Sequence, residues 1–486
     1  MNQFKMSKYL IIIIYLIFIS LGLPDSLLGS GWPVMQKDFN VDSSYAGYVS
    51  MTISAMTIIS ALFSAQITSR LKEKWVVIIS IGLTCIGLIL FSISKNYWNL
   101  FLFSIPYGLG AGSIDASINN FVAVHYSSRV MNFLHCFYGV GSMISPNIMA
   151  LALKYKNWKE GYRWTAYIQI GILAICFASL PLWKNDKKED EDQKEEKKEI
   201  EEENKIIKIN INNKNDIGKG NHKNKIFDSE AFEHKEELEK KSTEVNDNNK
   251  KDKNNKKEED ENVKVVSLLE AIKIKGVIFS CIAFFAYCSG EGTCFLWTSS
   301  FFNETKDGLS KESVASLSTT IYGGLMLGRA LSGIFSEKLG DKKLIRIGLM
   351  IEFLGIICVG IPIKTYILAV IGYCLTSIGM GPIYPSIQHL APIYFGKEAS
   401  ATIIGLQMAS AYVGTTFMPF IFGLIQAKTS MWAHPIYVGV FAILNSIFIE
   451  IEFRLCDKNI VDNNVNKNNQ KEKIKNNIVE IKDVKE

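Results

Sequence analysis

Apolar runs recur along the chain at 7–31, 45–69, 75–94, 97–124, 130–153 and 161–183, and again at 273–302, 313–337, 343–362, 365–391, 398–426 and 431–454. A helix needs about 20 apolar residues to cross a bilayer. Lipid offers no hydrogen bonds, so each run has to satisfy its backbone within itself. Runs of this length without in–out alternation read as helices and not as barrel strands. The pattern predicts an all-α membrane protein with twelve transmembrane helices, arranged as two pseudo-symmetric six-helix bundles. No small-residue cleavage site follows Tyr9–Leu23, so this run is expected to be a retained first span.

Between and after the two sets of runs the pattern collapses into charge, as in "KKEDEDQKEEKKEIEEEN" and "KDKNNKKEEDEN". Such segments cannot bury enough apolar surface to order themselves. The expected organisation is an N-terminal bundle at 1–183, a disordered charged linker at 184–266, a C-terminal bundle at 267–455 and a disordered tail at 456–486. Basic residues near span ends, among them Arg70, Arg129, Lys338, Lys342 and Lys397, gather on the side of the linker and tail. A rival cluster at Lys154, Lys156, Lys159 and Arg163 lies opposite. The lysines of the linker and tail tip both termini and the linker towards the cytoplasm, in a multi-pass plasma-membrane protein.

Composition sharpens this picture by exclusion. The 486 residues are 48% hydrophobic and 21% charged, with a formal charge of +5. Mean hydropathy is nonetheless only +0.13, because apolar spans and polar tracts coexist. No basic patch is interleaved with aromatics, so nucleic-acid binding is not expected. The nine cysteines stand singly, mostly inside spans, and read as small core residues, not as disulfides or metal ligands. With no nucleophile elbow, phosphate loop or metal cluster, neither enzyme chemistry nor a cofactor is expected. A monomer in contact with lipid is.

The two halves overlay by residue type. Gly110, Gly112, Ile114, Ser117 and Ile118 meet Gly379, Gly381, Ile383, Ser386 and Ile387, an offset of 379 − 110 = 269. Ser64, Arg70, Leu71 and Lys74 meet Ser332, Lys338, Leu339 and Lys342, an offset of 332 − 64 = 268. Two separate regions agreeing to within one residue point to a parallel six-plus-six repeat, the layout in which two bundles rock about a midplane site.

Ionisable side chains inside a span cost a few kcal/mol and usually face a watery cavity. The short list here is Asp25, Asp115, His135, Glu291 and Arg329. Asp25 follows Gly22 and Pro24, where the helix ladder is weakened. Asp115 and Asn119 share a helix face, with Asn120 beside them, and pair a carboxylate with an amide able to grip hydroxyls. Asn132, His135, Gly139 and Ser142 form a polar stripe on the fifth run. Tyr287 and Glu291 line one face of the seventh with Trp297 nearby, and Tyr384, Gln388 and His389 occupy the stretch of the tenth that matches Asp115. Aromatic faces beside amides and carboxylates suit a sugar, whose C–H faces stack while its hydroxyls pair. The bland alternative for each residue is a helix cap or an interhelical bond.

At these residues the chain resembles the major facilitator superfamily (the MFS fold), and within it the fucose permease branch of sugar:proton symporters, across all twelve runs but not the linker or tail. The resemblance is carried by "PDSLL" around Asp25, "GSIDASINNF" around Asp115, "NFLHCFYGVG" around His135 and "YPSIQHL" around Tyr384. It implies a substrate-binding role for Asp25 and proton exchange at Asp115, with Asn119 one turn on. His135 and Glu291 stand where that branch has amides, so the pocket chemistry departs from it. The superfamily's loop between second and third helices is degenerate in "SAQITSRLKEKW" and better kept in "SGIFSEKLGDKK", which makes Arg70 and Lys338 candidate gate residues alongside Arg329. The expected function is proton-coupled uptake of a neutral sugar or similar small polar solute. A proton-coupled exporter of amphipathic cations is the alternative, because acids outnumber bases in the spans.

Overall fold

The structure, a computed structural model, describes residues 8–41, 45–183, 265–309 and 311–483. All of the expected linker except Val265 and Val266 lies outside the described residues. Chain contacts define one unit of 1–6 and 181–264 and a second of 7–180 and 265–486. Of the first, residues 181–183 are described, within the 3-10 turn Leu180–Trp183. The second holds every helix named below.

In the first half, α1 (Lys8–Gly22) and α2 (Leu27–Phe39) make one interrupted span, followed by α3 (Tyr45–Leu62) with its short continuation α4 (Ser64–Leu71). Next come α5 (Glu73–Ser92), α6 (Tyr97–His125), α7 (Ser128–Tyr155) and α8 (Trp158–Ala178). A short α9 (Leu268–Lys273), held by a capping box between Ser267 and Glu270, opens the second half. After it run α10 (Val277–Thr305), α11 (Lys311–Leu339) and α12 (Asp341–Gly360). A second interrupted span, α13 (Tyr366–Met380) with α14 (Ile383–Phe395), precedes α15 (Lys397–Gln426) and α16 (Ala433–Asp483).

Among the described residues, 8 of these spans are long and apolar enough to cross a membrane by composition alone. The four that fall short are α6, α8, α11 and α12. They carry charges at their ends or polar groups on buried faces, which dilutes their apolar windows without shortening the helices. The last helix runs through Cys456 to Asp483, where the composition predicts an unordered tail. After Gly439 the chain has neither glycine nor proline, so nothing local stops the helix.

Each half packs around its own aromatic core. Trp32, Tyr97, Trp158 and Tyr162 lie in that of the first half, and Phe301, Phe302, Tyr373 and Phe422 in that of the second. Residues such as Met350, Ile357 and Leu424 stay exposed on the outside, as a lipid-facing surface requires. α6 is buried almost throughout because glycines let its neighbours close on it. A Cβ at Gly108 would stand 2.5 Å from the Ile53 carbonyl of α3, and one at Gly110 2.6 Å from the Ser80 carbonyl of α5. The halves meet chiefly through α7 against α11 and α3 against α15. Under the repeat offset α3 maps to α11 and α7 to α15, so the two contacts are images of each other.

Candidate functional site

A cavity of about 380 Å³ lies between the halves, walled by α1, α2, α3, α5, α6, α7 and α8 on one side and α10, α11, α14 and α15 on the other. The break at Leu23–Ser26 between α1 and α2 presents Asp25 to it. Pro24 supplies no backbone donor, and the turn is held by weaker bonds, Asp25 N–H to Gly22 O at 3.4 Å and Leu27 N–H to Pro24 O at 3.1 Å. Asp25 accepts from the hydroxyls of Tyr107, at 3.2 Å, and Tyr138, at 2.5 Å.

Asp115 lies deeper, buried mid-way along α6. Its Oδ1 accepts from the Asn119 amide one turn on, at 2.8 Å. Its Oδ2 accepts from the Tyr412 hydroxyl of α15 at 2.6 Å, a direct bond from one half to the other. On α10, Glu291 accepts from Tyr287 at 3.0 Å and from Arg329 at 3.3 Å. Arg329 also donates to the main-chain oxygen of His135 across the halves, at 3.2 Å. The His135 ring stands edge-on to Phe18 and Tyr384, with centroids 5.5 and 4.8 Å away. Charge-assisted bonds of this kind are roughly twice as strong as neutral ones and fix their partners' orientation.

The cavity wall thus includes Asp25, Asp115, His135, Glu291, Arg329 and Tyr384. Gly139 and Ser142 of the polar stripe line it too, and the other residues singled out in the sequence stand behind it or elsewhere. Asn119 and Tyr287 back up Asp115 and Glu291. Asn120 accepts from Ser400 at 2.7 Å, Asn132 is tied to Ser128 O at 2.9 Å, and the Trp297 ring N–H donates to Pro419 O at 2.9 Å. Gln388 donates to the Met408 sulfur at 2.8 Å, as does Tyr384. Tyr107, Tyr138 and Tyr412, which hold the acids, were not singled out. Tyr138 sits one turn past His135 on the same polar stripe, and that spacing was the signal available for it.

A second set of bonds joins the halves at one membrane face. His389 bridges Asp341 Oδ2, at 2.8 Å, and Tyr126 O, at 3.2 Å, and Ser128 donates to Asp341 Oδ1 at 2.5 Å. Arg129 pairs with Glu337 at 2.9 Å. Burial pushes the Tyr126 hydroxyl up to about 12. By helix alternation this is the face from which the chain leaves α8 and re-enters at α9. Arg70 and Lys338 are exposed here, and the joining bonds are made by their neighbours Arg129, Glu337 and Asp341. Ser54, Phe295 and Tyr322 also line the cavity.

The comparisons with known proteins follow this geometry. The family model described as Major Facilitator Superfamily matches residues 14–419. The chain is 16% identical over 450 residues to Bypass of stop codon protein 6 of Saccharomyces cerevisiae, covering 90% of this chain and 81% of that one. It is 25% identical over 146 residues to Quinolone resistance protein NorA of Staphylococcus aureus, covering 28% of this chain and 35% of that one. Among solved structures it is similar to the transporter FucP in its outward conformation, with TM-score 0.63 and 13% identity over 91% of this chain and 99% of that one. It is also similar to the proton:xylose symporter XylE, with TM-score 0.65 and 11% identity over 92% of this chain and 95% of that one. At these identities the solved structures show a shared fold. With repeat-related halves closing on a central cavity and a family match that runs through both of them, the chain belongs to the Major Facilitator Superfamily of membrane transporters.

Proposed function

We propose that the protein takes up a neutral sugar or a similar small polar solute together with a proton, by alternating access. The observation that carries this reading is the bond from Tyr412 of one half to Asp115 of the other, at 2.6 Å, in the wall of the cavity. A proton on Asp115 removes the charge that strengthens this bond, so proton binding and the contact between the halves are linked. In the described conformer the linker face, the cytoplasmic face in this reading, is held shut by the Asp341 and Glu337 contacts.

In the cycle, Asp115 takes a proton from the open side and the solute settles against Asp25, Glu291 and Tyr384. The loaded carrier then breaks the Asp341 and Glu337 contacts and opens inward. Release of solute and proton to the cytoplasm resets it. A carboxyl's proton affinity depends on the water, hydrogen bonds and charges around it, so alternating exposure changes it. The likeness to FucP, the fucose:proton symporter of E. coli, and to XylE, a proton:xylose symporter, supports the sugar and the proton.

The test is uptake of labelled hexoses into proteoliposomes under an imposed inward proton gradient. Accumulation that collapses when the gradient is dissipated is expected, and gradient-independent uptake or none would sink the reading. A second reading, proton-coupled export of amphipathic cations, draws on the partial likeness to NorA and on three acids facing one arginine. Resistance to lipophilic cations without hexose uptake would favour it.

A further inference from the structure

We infer that the cavity ranks polar solutes by the hydrogen-bond donors and positive charge they carry: a sugar bearing a protonated amine binds above its neutral parent, and the matching sugar carboxylate is turned away. This rests on the uptake reading and narrows its substrate class.

A hydroxyl has one hydrogen to give. At six hydroxyls of the wall, those bonded to Asp25 and Asp115 among them, that hydrogen is already engaged. Tyr107 and Tyr138 donate to Asp25, at 3.2 and 2.5 Å, and Tyr412 to Asp115 at 2.6 Å. Tyr384 donates to the Met408 sulfur at 2.8 Å, while Thr57 and Thr415 donate back to carbonyls of their own helices at 2.9 and 3.1 Å. What each leaves for a solute is an oxygen lone pair. Around Asp25 and Asp115 the wall is therefore a surface of acceptors, and its complement there is a molecule that donates.

The charges point the same way. Asp25 is exposed within the cavity, and its hydrogen-bond donors Tyr107 and Tyr138 are neutral. Among the described residues of the wall the basic side chains are Arg329 and His135. Arg329 is held by Glu291 and by the His135 carbonyl, at 3.3 and 3.2 Å. His135 is 4% exposed and turned between two rings. The negative charge of Asp25 is thus left to the solute. A carboxylate or phosphate would meet that charge and a row of lone pairs. To gain a cation it would have to pull Arg329 from Glu291 and leave a buried acid unpaired, which is strongly unfavourable.

The experiment is ligand-induced thermal stabilisation of the full-length protein in detergent, titrated with D-glucosamine, D-glucose and D-glucuronate at a pH where the amine is charged. Glucosamine should reach half-effect at about tenfold lower concentration than glucose, and glucuronate should give no shift. In Asp25→Asn the two curves should coincide. Tyr138→Phe, which keeps the charge and frees one carboxylate oxygen, should preserve or widen the gap and carries the test if Asp25→Asn does not fold. Glucosamine binding no better than glucose, a shift with glucuronate, a preference that survives Asp25→Asn, or one that Tyr138→Phe abolishes overturns the ranking while leaving sugar uptake standing. A protein that responds to none of the three overturns the uptake reading, and the ranking with it.

Discussion

Arg329 joins two groups that the sequence keeps far apart, the Glu291 carboxylate and the His135 carbonyl, and through them the two halves. Removing one partner of a buried ion pair leaves the other charge uncompensated and costs about 3–5 kcal/mol. Arg329→Gln should therefore lower the thermal unfolding temperature markedly, and adding Glu291→Gln should recover most of the loss. A double variant no more stable than the single one would show that the pair matters little. At this scale the sequence was most informative where membrane physics penalises a residue. An acid, a histidine or an arginine inside an apolar run stands out, and Asp25, Asp115, His135, Glu291 and Arg329 all face the cavity. Tyr107, Tyr138 and Tyr412 did not stand out, because tyrosine serves equally as packing in a span. Their role depends on which helices meet, and helical periodicity does not say that. It also gives relative faces without saying which one looks inward, which is why Asn132, Trp297 and Gln388 turn out bonded within the bundles.

Among the elements, the two interrupted spans and the tight seams of α6 do the positioning. The interruption at Pro24 was legible from Gly22, Pro24 and Gly29, since a missing donor weakens the ladder wherever it falls. The seams were not, because a glycine in a span reads the same whether it faces lipid or a neighbour's carbonyl. The structure separates the two cases. A Cβ at Gly110 would stand 2.6 Å from the Ser80 carbonyl, whereas one at Gly82 would meet nothing within 4 Å. Gly110→Ala should force α5 and α6 apart and destabilise by about 1–3 kcal/mol. Gly82→Ala should stabilise by about 0.5–1 kcal/mol, because alanine loses less freedom in a helix. Thermal unfolding of the two variants side by side checks both signs, and equal effects would contradict this account of the seams.

For the molecule as a whole, the repeat offset read from residue types anticipates the paired contacts α7 with α11 and α3 with α15, because equivalent helices meet equivalent partners. Which end of the cavity is shut is a property of one conformer, and no residue pattern fixes it. In the structure the linker face is shut by Asp341, His389, Ser128, Arg129 and Glu337. Asp341→Asn weakens two of these bonds, since both rely on the carboxylate charge. It should shift the population towards opening at that face, read as faster hydrogen exchange at backbone amides of residues 126–131 than in wild type; unchanged exchange would place the closure elsewhere.

The central claim is that proton binding at Asp115 and movement of the two halves are one process. The measurement that meets it most directly is the pH of a weakly buffered suspension of energy-depleted cells making the protein, recorded as the transported sugar is added. Wild type should make the medium more alkaline as protons enter with the sugar. Asp115→Asn, present in the membrane at equal amount, should give no such change. Alkalinisation that persists in the variant would contradict the account, because the proton would then be carried by another group.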